Sequence, residues 1–140
     1  SVHLTDFVET PKAWRDDALA AKWMSIRQAR RVVTAALEVQ RTEKVIGASL
    51  EADPTIYIAQ TDLRAALESV PFDDIAITSN ITVSGDAAPE GAFTLQDVSG
   101  VAVSFAKASG EKCQRCWKIL PDVGTHAHAG VCGRCDEALK

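Results

Sequence analysis

The sequence predicts an α+β fold, with a long N-terminal helix, a small and mostly antiparallel sheet with a short helix, and a C-terminal four-cysteine knuckle. Three observations carry this prediction: an alanine-rich segment with helical spacing, alternating apolar stretches after it, and two Cys-x-x-Cys pairs near the end. With 140 residues, of which 46% are hydrophobic and 24% charged, the composition is that of an ordinary globular protein.

The first predicted element is a helix that begins at Thr10-Pro11 and runs to about Thr42, because Thr suits the N-cap and Pro the first helical position. Its apolar residues recur at helical spacing and form one stripe, which we expect in the core: Trp14, Leu19, Trp23, Ile26, Val33 and Leu37. A stripe of this length favours packing against more than a small neighbour. Gly47 ends the pattern.

The next elements are a strand over residues 48–59 and a short helix. Pro54 interrupts the strand, which predicts pairing at a sheet edge or across a bulge. Thr61 or Asp62 is expected to cap the helix, which runs through Val70 and ends at Pro71.

Two further strands are predicted from alternating apolar residues. The first contains Ile75, Ile77, Ile81 and Val83, and the second contains Val101, Val103 and Phe105. The stretch from Gly85 to Gly91 between them is expected to be a loop.

The last element is defined by Cys113, Cys116, Cys132 and Cys135, with fifteen residues between the pairs. This spacing is typical of one tetrahedral zinc site, and four thiolates leave no open position, so we expect one structural zinc ion. Two disulfides, a redox dithiol and a rubredoxin-like iron site are the alternatives. His126 and His128 lie between the pairs and are expected not to be ligands.

Charge is unevenly distributed although the net charge is only −4. From Val45 to Ala106 nine acidic residues stand against the single base Arg64, whereas basic residues collect on both sides of this stretch. An acidic middle repels phosphates, and the basic ends are either solvated faces or nucleic-acid contacts.

No catalytic residues are predicted. A glycine-rich phosphate loop is missing from the sequence, and no histidine lies near a plausible Ser or Cys nucleophile along the chain. The adjacent acids Asp16-Asp17 and Asp73-Asp74 are expected to be solvated caps. No run approaches the roughly 18 apolar residues of a membrane span and no signal peptide is evident, which predicts a cytoplasmic location without membrane contact.

Two segments resemble the C-terminal end of bacterial isoleucyl-tRNA synthetases. The helical segment from Trp23 to Arg41, continued by Ile46 to Ala52, resembles the end of that family's anticodon-binding domain. The segment from Gly110 to Trp117, with Asp122-Val-Gly and Val131-Cys-Gly-Arg-Cys135, resembles its zinc finger.

The resemblance implies three parts: residues 1–47 as the end of the anticodon-binding helical domain, 48–109 as a small α+β junction domain, and 110–140 as the four-cysteine zinc finger. It implies a monomeric part of a larger synthetase chain that joins isoleucine to tRNA(Ile) with ATP. Neither nucleotide-binding signature of the family is present, so ATP is used by the parent enzyme and not bound here.

The resemblance also implies tRNA contacts on the anticodon side. Cations hold phosphates, and aromatic or guanidinium planes hold unstacked bases. The candidates that follow are Lys112, Arg115, Trp117, Lys118, Arg134, Arg27, Arg30 and Arg31. The alternative for Trp117 is packing over the metal turn, and the alternative for the three helix arginines is solvation.

Two other functions remain open from the sequence. The same type of finger occurs at the end of a family of bacterial DNA glycosylases, although strands precede the finger here and its loop lacks an arginine. The second open function is a free-standing zinc module that mediates protein contacts. Such a module would show no salt-dependent affinity for RNA.

Overall fold

The computed structural model describes residues 2–140 and confirms the predicted α+β class. A long helix covers one face of a four-stranded sheet, and two short helices complete this unit, which we call the body (residues 17–108). A small hairpin and a five-residue helix form the C-terminal unit, which we call the finger (residues 110–138).

Helix α1 spans Asp17–Thr42, so its predicted end is confirmed and its predicted start is wrong. The N-cap is Asp16, whose Oδ1 accepts a hydrogen bond from the Leu19 N–H at 2.9 Å. Pro11 precedes only a 3₁₀ turn over Lys12–Trp14, and Arg15 then returns to extended backbone and interrupts the helix.

The apolar stripe of α1 is buried only in its second half. Ile26, Val33 and Leu37 are in the core as predicted. Trp14 and Trp23 are 75% and 39% exposed, and Leu19 is also exposed, so the prediction that they are core residues is wrong. The buried positions of α1 begin at Ile26, which leaves the earlier part of the stripe outside the core.

The sheet has the strand order β2-β1-β4-β3. Its strands are β1 (Thr55–Ile58), β2 (Thr82–Ser84), β3 (Phe93–Leu95) and β4 (Val98–Ser104). Strand β1 pairs antiparallel with β4 and parallel with β2, so the predicted edge position of this strand is wrong. Pro54 lies just before β1, where its missing N–H costs the ladder nothing.

Two short helices follow β1. Helix α2 spans Thr61–Glu68 with Gln60 at its N-cap, so the helix is confirmed and its cap lies one residue earlier than expected. Helix α3 spans Phe72–Ala76 and replaces the first half of a predicted strand, because Pro71 at its N-cap starts a helical turn. Ile77 ends α3 in the left-handed conformation with φ of 60°.

The rest of the sheet agrees in part with prediction. The loop over residues 85–91 is confirmed, but β3 directly after it was not predicted. Strand β4 contains Val101 and Val103 as expected, and both are buried against Ile56 and Ile58 of β1.

One core holds the body together, formed by α1, β1, β4, α2 and α3. The finger consists of β5 (Glu111–Lys112), β6 (Ile119–Leu120) and α4 (Gly133–Glu137). It has a separate small core of Cys113, Val131, Cys132 and Cys135. None of the helices within residues 2–140 combines the length and apolarity that a membrane crossing requires.

Candidate metal centre

The first cysteine pair lies in a tight turn between β5 and β6. The Trp117 N–H donates to the Cys113 carbonyl at 2.9 Å, and the Cys113 N–H donates to the Lys118 carbonyl at 2.9 Å. The second pair is positioned by α4, with Cys132 at the N-cap and Cys135 within the helix. A bond from the Gln114 N–H to the Gly130 carbonyl, at 2.9 Å, joins the two halves.

The four sulfur atoms converge on one point. All of them lie within 4.8 Å of one another, and the Sγ atoms of Cys116 and Cys132 are 3.7 Å apart. With Zn–S bonds of about 2.3 Å, the edge of a sulfur tetrahedron is about 3.8 Å, which matches this separation. A disulfide needs about 2.05 Å, and all four cysteines are free. The donor set and spacing therefore fit one tetrahedral metal ion.

The thiols of Cys113, Cys116 and Cys132 differ in how readily they ionise. Burial acts to raise the pKa of Cys113, but N–H donors of Cys116, Cys132 and Arg115 outweigh it and lower this pKa to about 6. Burial, followed by the neighbouring thiols, raises the pKa of Cys116 to about 12. Burial also raises the pKa of Cys132. Four thiolates cannot form side by side without a positive ion to offset their repulsion.

Hydrogen bonds surround the sulfurs. The Cys132 N–H donates to the Cys113 Sγ at 3.4 Å, and the Arg115 guanidinium donates to the Cys135 Sγ at 3.7 Å. Contacts of this kind orient ligands and reduce the negative charge on a four-sulfur centre.

The two histidines of the finger pair with aspartates and lie outside the sulfur cluster. His126 Nε2 lies 3.0 Å from Asp122 Oδ2, and His128 Nδ1 lies 2.8 Å from Asp136 Oδ1. The Gly133 N–H, and then His126, lower the pKa of Asp122. These pairs fix the loop between the cysteine pairs.

The finger is attached to the body by a cluster of charged side chains. Lys118 is 8% exposed, and its ammonium pairs with Asp73 and, at 2.7 Å, with Asp74. Arg134 of α4 contacts the second oxygen of Asp74 at 2.8 Å. The expectation that Asp73-Asp74 are solvated caps is therefore wrong, because both carboxylates bind cations of the finger.

This cluster lowers the pKa of Asp74 and raises the pKa of Lys118. The Lys118 hydrogen bond is the main reason that the pKa of Asp74 is lowered, with Arg134 assisting. Burial alone would lower the pKa of Lys118, but Asp73 and Asp74 outweigh it and raise this pKa. Both shifts favour the charged forms and so favour the attached finger.

Ser79 makes a second connection and was not predicted. It is 2% exposed, its hydroxyl donates to the Leu50 carbonyl, and the same oxygen accepts from the Ile119 N–H at 2.6 Å. No sequence pattern marks a lone serine as such a link, because its two partners lie far away along the chain.

The predicted RNA contacts on the finger divide into exposed and buried residues. Lys112, Arg115, Trp117 and Arg134 are exposed, whereas Lys118 is occupied by Asp73 and Asp74 and does not present its charge to solvent. Trp117 is 60% exposed, so the alternative that it packs in the fold is not what the structure has. The Lys112 Nζ lies 5.0 Å from the centre of the Trp117 ring.

The predicted contacts on α1 have different surroundings. The Arg30 Nε donates to the Ile75 carbonyl of α3 at 2.7 Å, Arg31 pairs with Asp97 at 2.8 Å, and Arg27 is exposed. Helix α3 therefore contacts both α1, through Arg30, and the finger, through its two aspartates.

Comparison with known proteins identifies related sequences for nearly the whole chain. Residues 110–138 match the family described as "Zinc finger found in FPG and IleRS". The isoleucine–tRNA ligase of Ruegeria pomeroyi is 59% identical over 139 residues, which are 99% of this chain and 14% of that protein. Those of Brucella abortus and Agrobacterium fabrum are 56% and 54% identical over 89% of this chain and 13% of their own length.

Proposed function

We propose that this chain, which corresponds to the C-terminal zinc-finger region of isoleucyl-tRNA synthetases, is a non-catalytic part that holds the anticodon side of tRNA(Ile). The rest of a synthetase chain is its other partner, and that parent enzyme joins isoleucine to tRNA with ATP. The working unit is a monomer in the cytoplasm. The chain spans 14% of the length of the first relative given above.

The single observation that carries the proposal is the location of the cations around the sulfur cluster. Lys112 directly precedes Cys113, Arg115 lies between Cys113 and Cys116, and Arg134 lies between Cys132 and Cys135. Their backbone positions are therefore fixed by the same atoms that hold the metal. A rigid display of cations is suited to a phosphate backbone, since less ordering is required on binding.

The metal is a single structural zinc ion held by Cys113, Cys116, Cys132 and Cys135. Because four thiolates would fill the coordination sphere of the zinc ion, no position is left for a substrate or an activated water. The ion would therefore contribute by fixing the backbone of the two cysteine turns. Arg115 and Arg134 would remain outside the coordination sphere, with the Arg115 guanidinium on the Cys135 sulfur and the Arg134 guanidinium on Asp74.

The three parts proposed for the chain are residues 1–47 as the end of the anticodon-binding helical domain, 48–109 as the junction domain and 110–140 as the finger. Helix α1 and the sheet share one core, so the first two parts would move together. The finger, with its own small core, would be the separable part.

A salt titration of tRNA binding tests the proposal. Lys112→Glu with Arg115→Glu should weaken binding of tRNA(Ile) by the zinc-loaded chain and reduce the slope of log K against log salt by about one per lost phosphate contact. Arg64→Glu reverses the charge of the one base in the acidic stretch from Val45 to Ala106 and is the control. Equal binding by the finger variant and the control would reject the finger as the RNA surface.

The glycosylase and protein-module alternatives are less well supported. The relatives given above are isoleucine–tRNA ligases, and they match the body as well as the finger. The protein-module alternative would be favoured if tRNA affinity did not change with salt.

A further inference from the structure

The finger has its own small core, but contacts along its length and in the chain that leads into it hold it to the body. Just before the finger, the Ala108 N–H donates to the Glu51 carbonyl at 2.8 Å. Lys118 of the hairpin pairs with Asp74 at 2.7 Å, and Arg134 of α4 contacts the same carboxyl group at 2.8 Å. A unit held at several segments cannot rotate about one of them without breaking the others.

Ser79 lies where the hairpin of the finger meets the body. Its hydroxyl donates to the carbonyl of Leu50, in the 3₁₀ turn after α1, and accepts from the Ile119 N–H of β6 at 2.6 Å. The Ser79 N–H donates to the Ala52 carbonyl at 3.1 Å, which fixes the serine in the body. A hydroxyl can donate and accept at once, whereas an alanine side chain can do neither. The link from Leu50 to Ile119 therefore depends on this one oxygen.

The linker packs against the same hairpin. Gly110 has φ of 113°, a conformation that favours glycine, and a Cβ at this position would lie 2.3 Å from the Leu120 carbonyl. The backbone that enters the finger is therefore in close contact with β6, next to the residue that Ser79 holds. This segment supports a fixed orientation of the finger and is not a loose tether.

A fixed orientation matters because exposed cations lie on both units. Lys112 and Arg115 are exposed on the finger, and Arg27 is exposed on α1 of the body. One polyanion can contact both sets with little loss of freedom on binding only if their separation is already set. A finger that rotated freely would have to be ordered each time RNA bound.

We propose that Ser79 is a positioning residue, whose hydroxyl fixes the orientation of the finger on the body so that one tRNA meets the cations of the finger and of α1 at a set spacing. Ser79 itself is buried and contacts no RNA. The inference rests on the proposed function and adds to it the joint that orients the RNA surface. Because the hydroxyl is neutral, its removal changes tRNA affinity without changing the number of phosphate contacts.

Amide ¹⁵N relaxation of the zinc-loaded chain tests the joint directly. In the parent, residues 111–137 should have the same rotational correlation time as the body, and Ser79→Ala should shorten it at these residues. The zinc content should equal that of the parent, since all four cysteines remain.

Thr78→Val is the matched control for the relaxation measurement. Thr78 is the adjacent residue and is fully buried, and its hydroxyl donates to the Asp73 carbonyl at 3.4 Å, within the body. Its removal should leave the correlation time of the finger equal to that of the parent.

Binding of tRNA(Ile) at a series of salt concentrations tests the consequence for function. Ser79→Ala should weaken binding about threefold or more at each concentration, with the parent's slope of log K against log salt, since no charged contact is lost. Thr78→Val should bind as the parent does. Asp74→Asn loosens the joint from its charged side and serves where Ser79→Ala fails to fold. It should also shorten the correlation time of the finger and weaken binding, although removal of an acid by itself favours a polyanion.

The outcomes separate this inference from the proposed function. Unchanged relaxation of the finger in Ser79→Ala, or a loosened finger with unchanged tRNA affinity, would overturn the positioning role while salt-dependent tRNA binding stands. If the parent chain shows no salt-dependent affinity for tRNA, the proposed function fails, and the positioning role fails with it.

Discussion

At the scale of single residues, Lys118 is the clearest case of a charge that works inside the protein. Its side chain is 10% exposed and lies between two carboxylates that are one-third exposed. Removing one member of such a cluster leaves the others without their counter-ion, which costs more than the intact cluster contributes.

Lys118→Met should therefore lower the free energy of unfolding by about 2 kcal/mol, less than for a fully buried pair because the carboxylates reach solvent. Urea denaturation with zinc present would measure this. The triple variant that adds Asp73→Asn and Asp74→Asn should recover most of the loss, since the charge that then loses its partner, that of Arg134, is exposed to solvent. A single variant within about 0.5 kcal/mol of the parent would show that the cluster does not stabilise the fold.

The Arg31–Asp97 pair predicts a pH effect far from the metal. The Arg31 hydrogen bond is the main cause that lowers the pKa of Asp97 below its ordinary value of 3.8. A lowered pKa in the folded state gives stability that is present above pH 3.8 and lost as pH falls through the folded-state value. Arg31→Gln should move the Asp97 carboxyl titration, followed by NMR, upward toward 3.8. Identical Asp97 titrations in the parent and the Arg31→Gln variant would contradict the ion pair. The pair must also open before Arg31 can bind a phosphate.

At the scale of elements, the finger and the body depend on different forces. The body has an extended apolar core, whereas the finger core contains three cysteines and Val131. A unit with so little apolar burial depends on its metal for order.

Chelation of zinc should therefore accelerate amide exchange from Lys112 to Ala138 and leave α1, β1 and β4 protected. Hydrogen exchange read by mass spectrometry would locate the change. A Cys113→Ser variant, whose finger is already loosened, should respond little to the chelator. Unchanged protection in the finger after metal removal would show that the zinc is not structural.

The elements also show which predictions a sequence can support. Local signals gave the end of α1 at Thr42, the alternation of Val101 and Val103, and the cysteine cluster, because spacing along the chain decides them. The prediction that Trp23 lies in the core was wrong, and the burial of Lys118 was not foreseen, because both depend on distant neighbours: the sheet reaches α1 only from Ile26 onward, and Lys118 meets α3. Helix α3 was missed because Ile75 and Ile77 continue the alternation of Ile81 and Val83, which favours a strand until Pro71 is taken as a helix start.

At the scale of the whole molecule, α3 connects the parts that are proposed to touch RNA. Its Ile75 carbonyl holds Arg30 of α1, and its two aspartates hold Lys118 and Arg134 of the finger. The predominantly acidic stretch from Val45 to Ala106 therefore supplies the counter-ions that position basic residues on either side of it. Lys112 and Arg115 of the finger lie outside this charge cluster and are exposed.

The central claim is that a metal held by four cysteines fixes the position of the exposed cations of the finger, Lys112 and Arg115. The most direct test is to titrate the metal-free chain with Zn²⁺ and to measure bound zinc and tRNA affinity, at low and high salt, in the same samples. We predict that affinity rises until one ion is bound per chain and that the gain is lost at high salt. Equal tRNA affinity with and without the ion would contradict the account.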